Sequence, residues 1–343
     1  MPTMTKAELQ TAASAEGFAR CRIAAPGPAP HAGALREWIA EGSHATMEWM
    51  ARTAEDRADP ERVLPGVQSI VVLATSYAHD NQPPAGGDSA RGRIARYAWS
   101  DDYHEVIAPR LQALNALMTE AGGQQRCFTD SGPVLERDWA AASGVSWHGK
   151  STMGIHPEMG TWFFLSVILT TLPFTPDDPL ADRCGRCTRC LEACPTAAIT
   201  APYHLDANRC LSFLTIENKG PIPEEFRVAL GDRIFGCDDC LDACPWNRFA
   251  RASRDAALAP RADILATPLR DFLALDEAEF KSRFRGSPIL RAKRRGFLRN
   301  VCVALGNTGS AEDLPALRRA LEDAEPLVRE HAAWAIARLQ GRG

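Results

Sequence analysis

The sequence predicts an α+β chain in three successive parts, on three observations. Two apolar runs, 68–77 and 161–172, read as buried strands with helix-patterned segments between them. A polar connector, Pro173-Phe-Thr-Pro-Asp-Asp-Pro179, then leads into a segment holding eight of the eleven cysteines. From residue 288 onward the chain reads as helices alone. The division is an α/β or α+β domain over 1–175, a cysteine-rich domain over 176–250, and a helical tail over 251–343.

In chain order, residues 5–24 read as an opening helix, and 35–55 contain a second with Trp38, Met47 and Met50 as apolar contacts. The run 68–77 is a strand, and 79–91, rich in Pro, Gly and Asp, is a loop. Residues 102–120 have helical spacing closed by Gly122-Gly123. A short strand over 126–129 and a helix over 135–143 precede the strand at 161–172. The tail reads as helices over 288–305, 311–323 and 326–339. The last two resemble one helix-pair solenoid repeat, too little to stand alone, so the tail must pack on the rest.

The 343 residues carry 39 basic and 43 acidic side chains, a formal charge of −4. That excludes a uniformly basic nucleic-acid coat but not a local patch. The most apolar run, 162–172, is far too short to span a bilayer. The opening residues, MPTMTKAELQTAASAEGF, show no apolar signal core. The expectation is a cytoplasmic, reducing compartment, no membrane, a monomer, and clustered thiols available for metal rather than for disulfides.

The first cysteine run is Cys184-x2-Cys187-x2-Cys190-x3-Cys194-Pro195. It is the bacterial two-cluster iron–sulfur spacing, in which the fourth cysteine ligates the other cluster. The second run, Cys237-x2-Cys240-x3-Cys244-Pro245, is one ligand short, and Cys210 supplies it. The crossed assignment is Cys184, Cys187, Cys190 and Cys244 for one [4Fe-4S] cluster and Cys194, Cys210, Cys237 and Cys240 for the other. Zinc is the alternative that thiolates also suit, and the spacing argues against it. Two adjacent clusters imply a one-electron relay. Cys21, Cys127 and Cys302 are left as core thiols.

Gly144-Val-Ser-Trp-His-Gly149-Lys150-Ser151 satisfies the phosphate-loop expression literally. A helix-patterned segment precedes it and Pro157 follows within six residues of Ser151, so the strand–loop–helix context is wrong. No G-x-G-x-x-G follows a strand either.

The densest polar and aromatic segments of the first domain surround Asp102-Tyr-His104 and Thr129-Asp130-Ser-Gly-Pro133. Asp130, at the end of a predicted strand, is placed to donate a proton if an apolar face raises its pKa, the plain alternative being a turn or helix-cap aspartate. His104 and His156 read as structural or substrate-contacting histidines rather than metal ligands. In the tail, residues 281–299 carry eight basic side chains and no acidic one, with Phe284 and Phe297 interleaved. The stripe suits phosphate contacts through Lys281, Arg283, Arg285, Arg291, Lys293, Arg294 and Arg295, or is the solvated face of a helix.

Together, Ile94-Ala-Arg-Tyr-Ala-Trp99, Asp102-Tyr-His104, Thr129-Asp-Ser-Gly-Pro133 with Glu136-Arg137, Trp147-x-Gly-Lys150, the eight cysteines and Cys210-Leu-Ser-Phe-Leu-Thr215 resemble the epoxyqueuosine reductases over nearly the whole chain. The resemblance implies a cobalamin-dependent enzyme with two [4Fe-4S] clusters. Such enzymes reduce epoxyqueuosine to queuosine at the wobble position of tRNAs with a GUN anticodon. It implies a nitroreductase-like or reductive-dehalogenase-like cobalamin domain, a ferredoxin-like two-cluster domain and HEAT-like helical repeats. Asp130 matches the family's proton donor, and Arg57, Ala95, Asp130, Gly154, His156, Leu165 and Ser212 fall at positions resembling those that line cobalamin. D-x-H-x-x-G is absent, since residue 107 is Ile, so no histidine is expected below the cobalt. An external low-potential donor, such as a flavodoxin or ferredoxin system, would supply the electrons.

The rivals are a cobalamin-dependent reductive dehalogenase, which would need no basic patch, and an iron–sulfur electron-transfer oxidoreductase, which would leave the first domain without a role.

Overall fold

The computed structural model describes residues 4–79 and 91–341. Its centre is a four-stranded antiparallel sheet of β1 (Arg20–Ala24), β2 (Ser69–Ser76), β3 (Gln125–Phe128) and β4 (Phe163–Thr170), in the order β1-β2-β4-β3. The two long apolar runs become the central pair, and their alternate side chains enter different cores. On one face, Val71, Leu73, Phe164 and Ile168 pack with Leu9 and Ala13 of α1 (Lys6–Ala15) and with Ile107, Leu111, Leu114 and Met118 of α2 (Tyr103–Glu120). On the other, Ile70, Val72, Val167 and Leu169 meet Trp139 and Ala140 of α3 (Glu136–Ala142). With both faces covered by helices, the architecture is mixed α+β.

The expected helix over 5–24 is half helix and half strand. A Thr5–Glu8 capping box starts α1, and Gly17, at φ +88°, ends it. Residues 20–24 then pair with β2, from Arg20 opposite Ala74 to Ala24 opposite Ile70. The second expected helix is likewise broken, into Ala32–Ala40 and Glu48–Arg52. Between its end residues, the loop expected over 79–91 falls outside the described residues.

Short elements join the first part of the chain to the second. Arg93–Ile94 pairs in parallel with Arg233–Phe235, which fastens the segment before Cys237 to the first domain. Two further hairpins pair Trp147–His148 with Gly154–Ile155 and Ile199–Ala201 with His204–Leu205. The phosphate-loop look-alike therefore lies in a hairpin with no helix behind it.

The tail is anchored through polar groups as well as apolar ones. Here α4 is Leu211–Ile216, α5 Lys293–Thr308, α6 Leu314–Ala320 and α7 Pro326–Gln340. Helices α5 and α7 approach so closely at Gly306 that a Cβ there would lie 2.7 Å from the Trp334 ring and 2.9 Å from Ala335 Cα. The fully buried Asn300 donates to the Thr215 and Ile234 carbonyls, and the fully buried Arg299 donates to those of Leu214, Asn218 and Gly220. Each buried donor is thus matched to an acceptor that would otherwise lack one. One apolar cluster, with Ile94, Trp99, Phe235, Phe272, Phe297 and Val301, runs through all three expected parts. Among the described residues no helix is long and apolar enough to cross a membrane.

Candidate active site and metal centres

All eleven cysteines are free thiols. Cys184, Cys187, Cys190 and Cys244 line one cavity together with Lys150, Pro245 and Trp246. The Lys150 ammonium donates to the Gly185 and Cys187 carbonyls and so ties the first cysteine loop to the hairpin of the first domain. Burial, and then the charges of Cys184, Cys190 and Cys187, push the Cys244 thiol up to about 11. The other four interact in the same way, with Cys240 raised by burial and then by Cys210, Cys237 and Cys194 among its neighbours. Cys210 stands at the N-terminus of α4, and burial raises its thiol although the backbone N–H groups of Phe213 and Ser212 oppose the shift.

The first four thiols thus share one cavity, and Cys194, Cys210 and Cys237 are neighbours of Cys240. Burial raises Cys237 to about 12, so such thiols ionise at neutral pH only against a strong local cation. Among the described residues, no three of the eight sulfurs lie mutually within 4.8 Å. A zinc tetrathiolate, with Zn–S of roughly 2.3 Å, needs them about 3.8 Å apart, so the tetrads suit a larger inorganic core. Burial likewise raises the thiols of Cys21 and Cys127, which are half-buried, and of Cys302, which is fully buried; none of the three joins a tetrad.

Asp130 follows β3 in a left-handed conformation, φ +52°, with its side chain exposed. It caps no helix: α3 begins after Leu135. Its Oδ2 accepts a 2.6 Å hydrogen bond from the Tyr103 hydroxyl. The Tyr103 ring stacks on Phe164, with centroids 4.2 Å apart and planes 9° apart, and burial with the Asp130 charge keeps its phenol protonated. One residue earlier, Thr129 and Ser166 share a buried 2.8 Å hydroxyl–hydroxyl bond that pins the loop to β4. The catalytic candidate is thus displayed on a turn whose base is fixed on both sides.

Three segments distant in sequence close around it. Arg57 donates to the Val134 carbonyl at 3.0 Å and feels the charges of Glu136 and Asp130. Burial and the Asp130 charge raise the Glu136 carboxyl to about 7, and its Oε1 is buried with no hydrogen-bond partner. Arg291 from the tail pairs with Glu217 through two bonds of 2.8 and 3.1 Å, lies over the Trp49 ring, and also feels Asp130. Tyr103, Glu136, Glu217 and Trp49 were not singled out as site residues from the sequence. Tyr103 and Glu136 lie within the motifs that carry the family resemblance, the one signal that pointed toward them.

The remaining cofactor candidates divide between two walls. Leu165 is half-buried on β4 on the face that carries Val134 and Met159, and Gly154 sits close to Phe163 of that strand. His156 is buried at the same end of the sheet, its Nδ1 accepting from the N–H groups of Glu158 and Met159, and burial lowers its pKa to about 4. Ala95 lines a second cavity with Gly236 and Cys237, and Ser212 lies on α4 beside Cys210. His104 is held by Asp102, which also caps α2.

The basic stripe is less uniform than its sequence. Phe284 and Phe297 are fully buried in a cluster with Phe272 and Phe280, so they present no stacking face to RNA. Arg294 is turned inward, bound to both oxygens of Asp323 and to the Leu275 carbonyl. Arg283 donates to Thr267 and to the Asp263 carbonyl. Lys281 pairs with Glu277 at 3.1 Å but stays exposed, as do Arg285, Lys293 and Arg295. The interior positions satisfy acceptors of the fold, and the solvent-facing ones remain for a partner.

Two family models match the chain: the 4Fe-4S double cluster binding domain over residues 183–247, and epoxyqueuosine reductase QueG, DUF1730, over 57–131. A curated epoxyqueuosine reductase of Xanthomonas campestris is 43% identical over 342 residues, covering 98% of this chain and 96% of the relative.

The chain belongs to the epoxyqueuosine reductase family.

The epoxyqueuosine reductase of Escherichia coli K12 is 38% identical over 88% of this chain and 81% of its own length. A crystal structure of an epoxyqueuosine reductase with an epoxyqueuosine-modified tRNA-Tyr stem loop superposes with a TM-score of 0.92 at 31% identity, covering 97% of this chain and 90% of that one. The Bacillus subtilis epoxyqueuosine reductase with its aspartate-bearing catalytic loop swung out of the active site has a TM-score of 0.90 at 31% identity over the same shares. The epoxyqueuosine reductase likeness therefore extends through the helical tail, and the chain is an oxidoreductase of that family.

Proposed function

We propose that this chain reduces the epoxide of epoxyqueuosine in tRNA to the alkene of queuosine. Electrons arrive through two [4Fe-4S] clusters, Asp130 supplies one proton, and solvent supplies the other. Two electrons and two protons convert the epoxide to the alkene and water. The observation that carries the reading is an apolar cluster shared by one cysteine tetrad and the residue that holds the proton donor. Cys240 of the inner tetrad (Cys194, Cys210, Cys237 and Cys240; the outer is Cys184, Cys187, Cys190 and Cys244) packs against the same apolar cluster that contains Tyr103, and Tyr103 holds Asp130.

The residues fit cobalamin. The orphaned Glu136 Oε1 beside Arg57 and Asp130 offers an acceptor to the amide-fringed edge of a corrinoid. Arg57, Ala95, Gly154, His156, Leu165 and Ser212 would hold it. When bound, cobalamin supplies low-potential one-electron and nucleophilic chemistry at cobalt, and the protein orients it. Tyr103 keeps the Asp130 carboxyl at the mouth of the site, Thr129 and Ser166 set the height of its turn, and Arg57 fixes the loop at Val134. In this reading, residues 1–175 form the nitroreductase-like cobalamin domain. Residues 176–250 form the ferredoxin-like domain, and 251–343 a HEAT-like tail. Exposed Lys281, Arg285, Lys293 and Arg295 meet the tRNA backbone, while Arg291 closes the site beside Asp130.

Protein reconstituted anaerobically with iron, sulfide and cobalamin is expected to convert epoxyqueuosine in GUN-anticodon tRNA when dithionite is supplied, as read by nucleoside mass spectrometry. Unchanged nucleoside with both clusters and cobalamin loaded would sink the reading.

Electrons enter at the outer tetrad. Arg183, Arg186 and Arg189 are exposed on its loop and, among the described residues, make no ion pair. On a chain of net charge −4 this is a local positive rim, suited to an acidic carrier protein of the flavodoxin or ferredoxin kind. Reversing all three to Glu should lower carrier-driven kcat/KM by roughly tenfold or more at low salt. The dithionite-driven rate should stay unchanged. Equal loss with both reductants would place the electron carrier elsewhere.

A further inference from the structure

We propose that His31, Asp138 and His148 form a binding site for one divalent transition-metal ion, separate from the two cysteine tetrads. Among the described residues they are the one set of three potential ligands whose donor atoms lie mutually within 4.8 Å. They come from three segments. His31 stands at the start of the helix Ala32–Ala40, Asp138 lies on α3, and His148 belongs to the hairpin strand Trp147–His148.

The three donor atoms lie close enough to share one ion, although His31 Nδ1 and Asp138 Oδ1 are now hydrogen-bonded to each other. Asp138 is buried, and its Oδ2 accepts the backbone N–H of His31 at 2.9 Å, which fixes the carboxylate plane. Its Oδ1 faces both imidazoles, 2.9 Å from His31 Nδ1 and 3.9 Å from His148 Nδ1. An ion bound at about 2.0–2.2 Å from each donor requires separations in this range. His148 Nδ1 is buried and has no hydrogen-bond partner, so its electron pair or proton is unused within the fold. The neighbouring Arg137 does not use it either, since its guanidinium donates to the Thr152 carbonyl at 2.7 Å. The His31 side chain is 55% exposed, which leaves an approach from solvent and room for water as a further ligand.

Two imidazoles and one carboxylate select zinc, nickel or cobalt over magnesium and calcium, which take oxygen donors. The ion would staple the helix that follows the Asp130 turn to the hairpin whose Lys150 holds the outer cysteine loop.

The test uses cluster-loaded holoenzyme kept anaerobic, freed of loosely bound metal and titrated with Zn2+ at neutral pH. We expect one saturable equivalent at micromolar or lower Zn2+, by competition against a chromophoric chelator, and a rise of a few degrees in Tm at saturation. Iron content and cluster absorption should be unchanged. His148→Ala and His31→Ala should each weaken binding at least tenfold while retaining iron. No saturable binding below about 100 µM would leave the three residues as a hydrogen-bonded cap and overturn the proposal. Undiminished binding in the double variant would overturn it equally, by placing the ion elsewhere.

Discussion

Asp130→Asn should lower turnover by roughly 10²–10⁴-fold while leaving iron and cobalamin content at the parent level. The substitution is nearly isosteric. Asn tolerates the left-handed backbone found at φ +52°, and its carbonyl oxygen can still accept from the Tyr103 hydroxyl. The Thr129–Ser166 bond and the Arg57–Val134 contact that shape the turn do not involve the replaced atoms. What disappears is the exchangeable proton of the carboxyl. Tyr103→Phe is the companion variant. It keeps the stacked ring but frees the carboxylate, so it should cost less than Asp130→Asn. Nucleoside analysis of single turnovers, started from reduced and loaded enzyme, measures the step directly. Full activity in Asp130→Asn would remove Asp130 from proton transfer.

The second large effect concerns which cysteines belong together. Cys194→Ala, Cys210→Ala and Cys240→Ala should each halve the iron per chain and remove the same paramagnetic signal. Cys184→Ala and Cys244→Ala should remove the other. Cys194 follows Cys190 by four residues, yet its structural neighbours are Cys210 and Cys240. Cys244 sits four residues beyond Cys240, yet faces Cys184, Cys187 and Cys190. An uncrossed arrangement predicts the opposite phenotype for Cys194 and Cys244, and spectra of those two variants decide between them. Turnover should be lost in all five, because a relay with one cluster missing leaves a gap. Restored activity with dithionite in Cys184→Ala alone would indicate that a small reductant can reach the inner cluster.

The double-cluster domain was legible because cluster spacing is a local property, written in intervals of two and three residues. The central strands were legible for a similar reason, since strands covered on both faces leave uninterrupted apolar runs. The edge strand at 20–24 was not, because it alternates weakly and follows directly on a real helix. Gly17 was the available stop signal. The surroundings of Asp130 were legible only in part. Residues 49, 57, 103, 136, 217 and 291 meet through the fold, and nothing in a linear motif pairs Arg291 with Glu217. The basic stripe shows the converse failure. Sequence alone does not separate Arg294, spent on Asp323, from Arg295, left in solvent one position later.

The crossed ligation proposed for the two cysteine runs bears on how the protein matures. Three donors from the first run wait for Cys244, and Cys194 waits for Cys210, Cys237 and Cys240. A nascent chain released up to residue 236 could therefore complete neither inorganic core, however much of the first domain had already folded. Both cores become possible over the same eight residues, 237–244, tethered in place by the two-residue pairing of Arg233–Phe235 with Arg93–Ile94. Metallation is thereby made a late and joint event. In the parent protein, half-loaded chains should therefore be scarce.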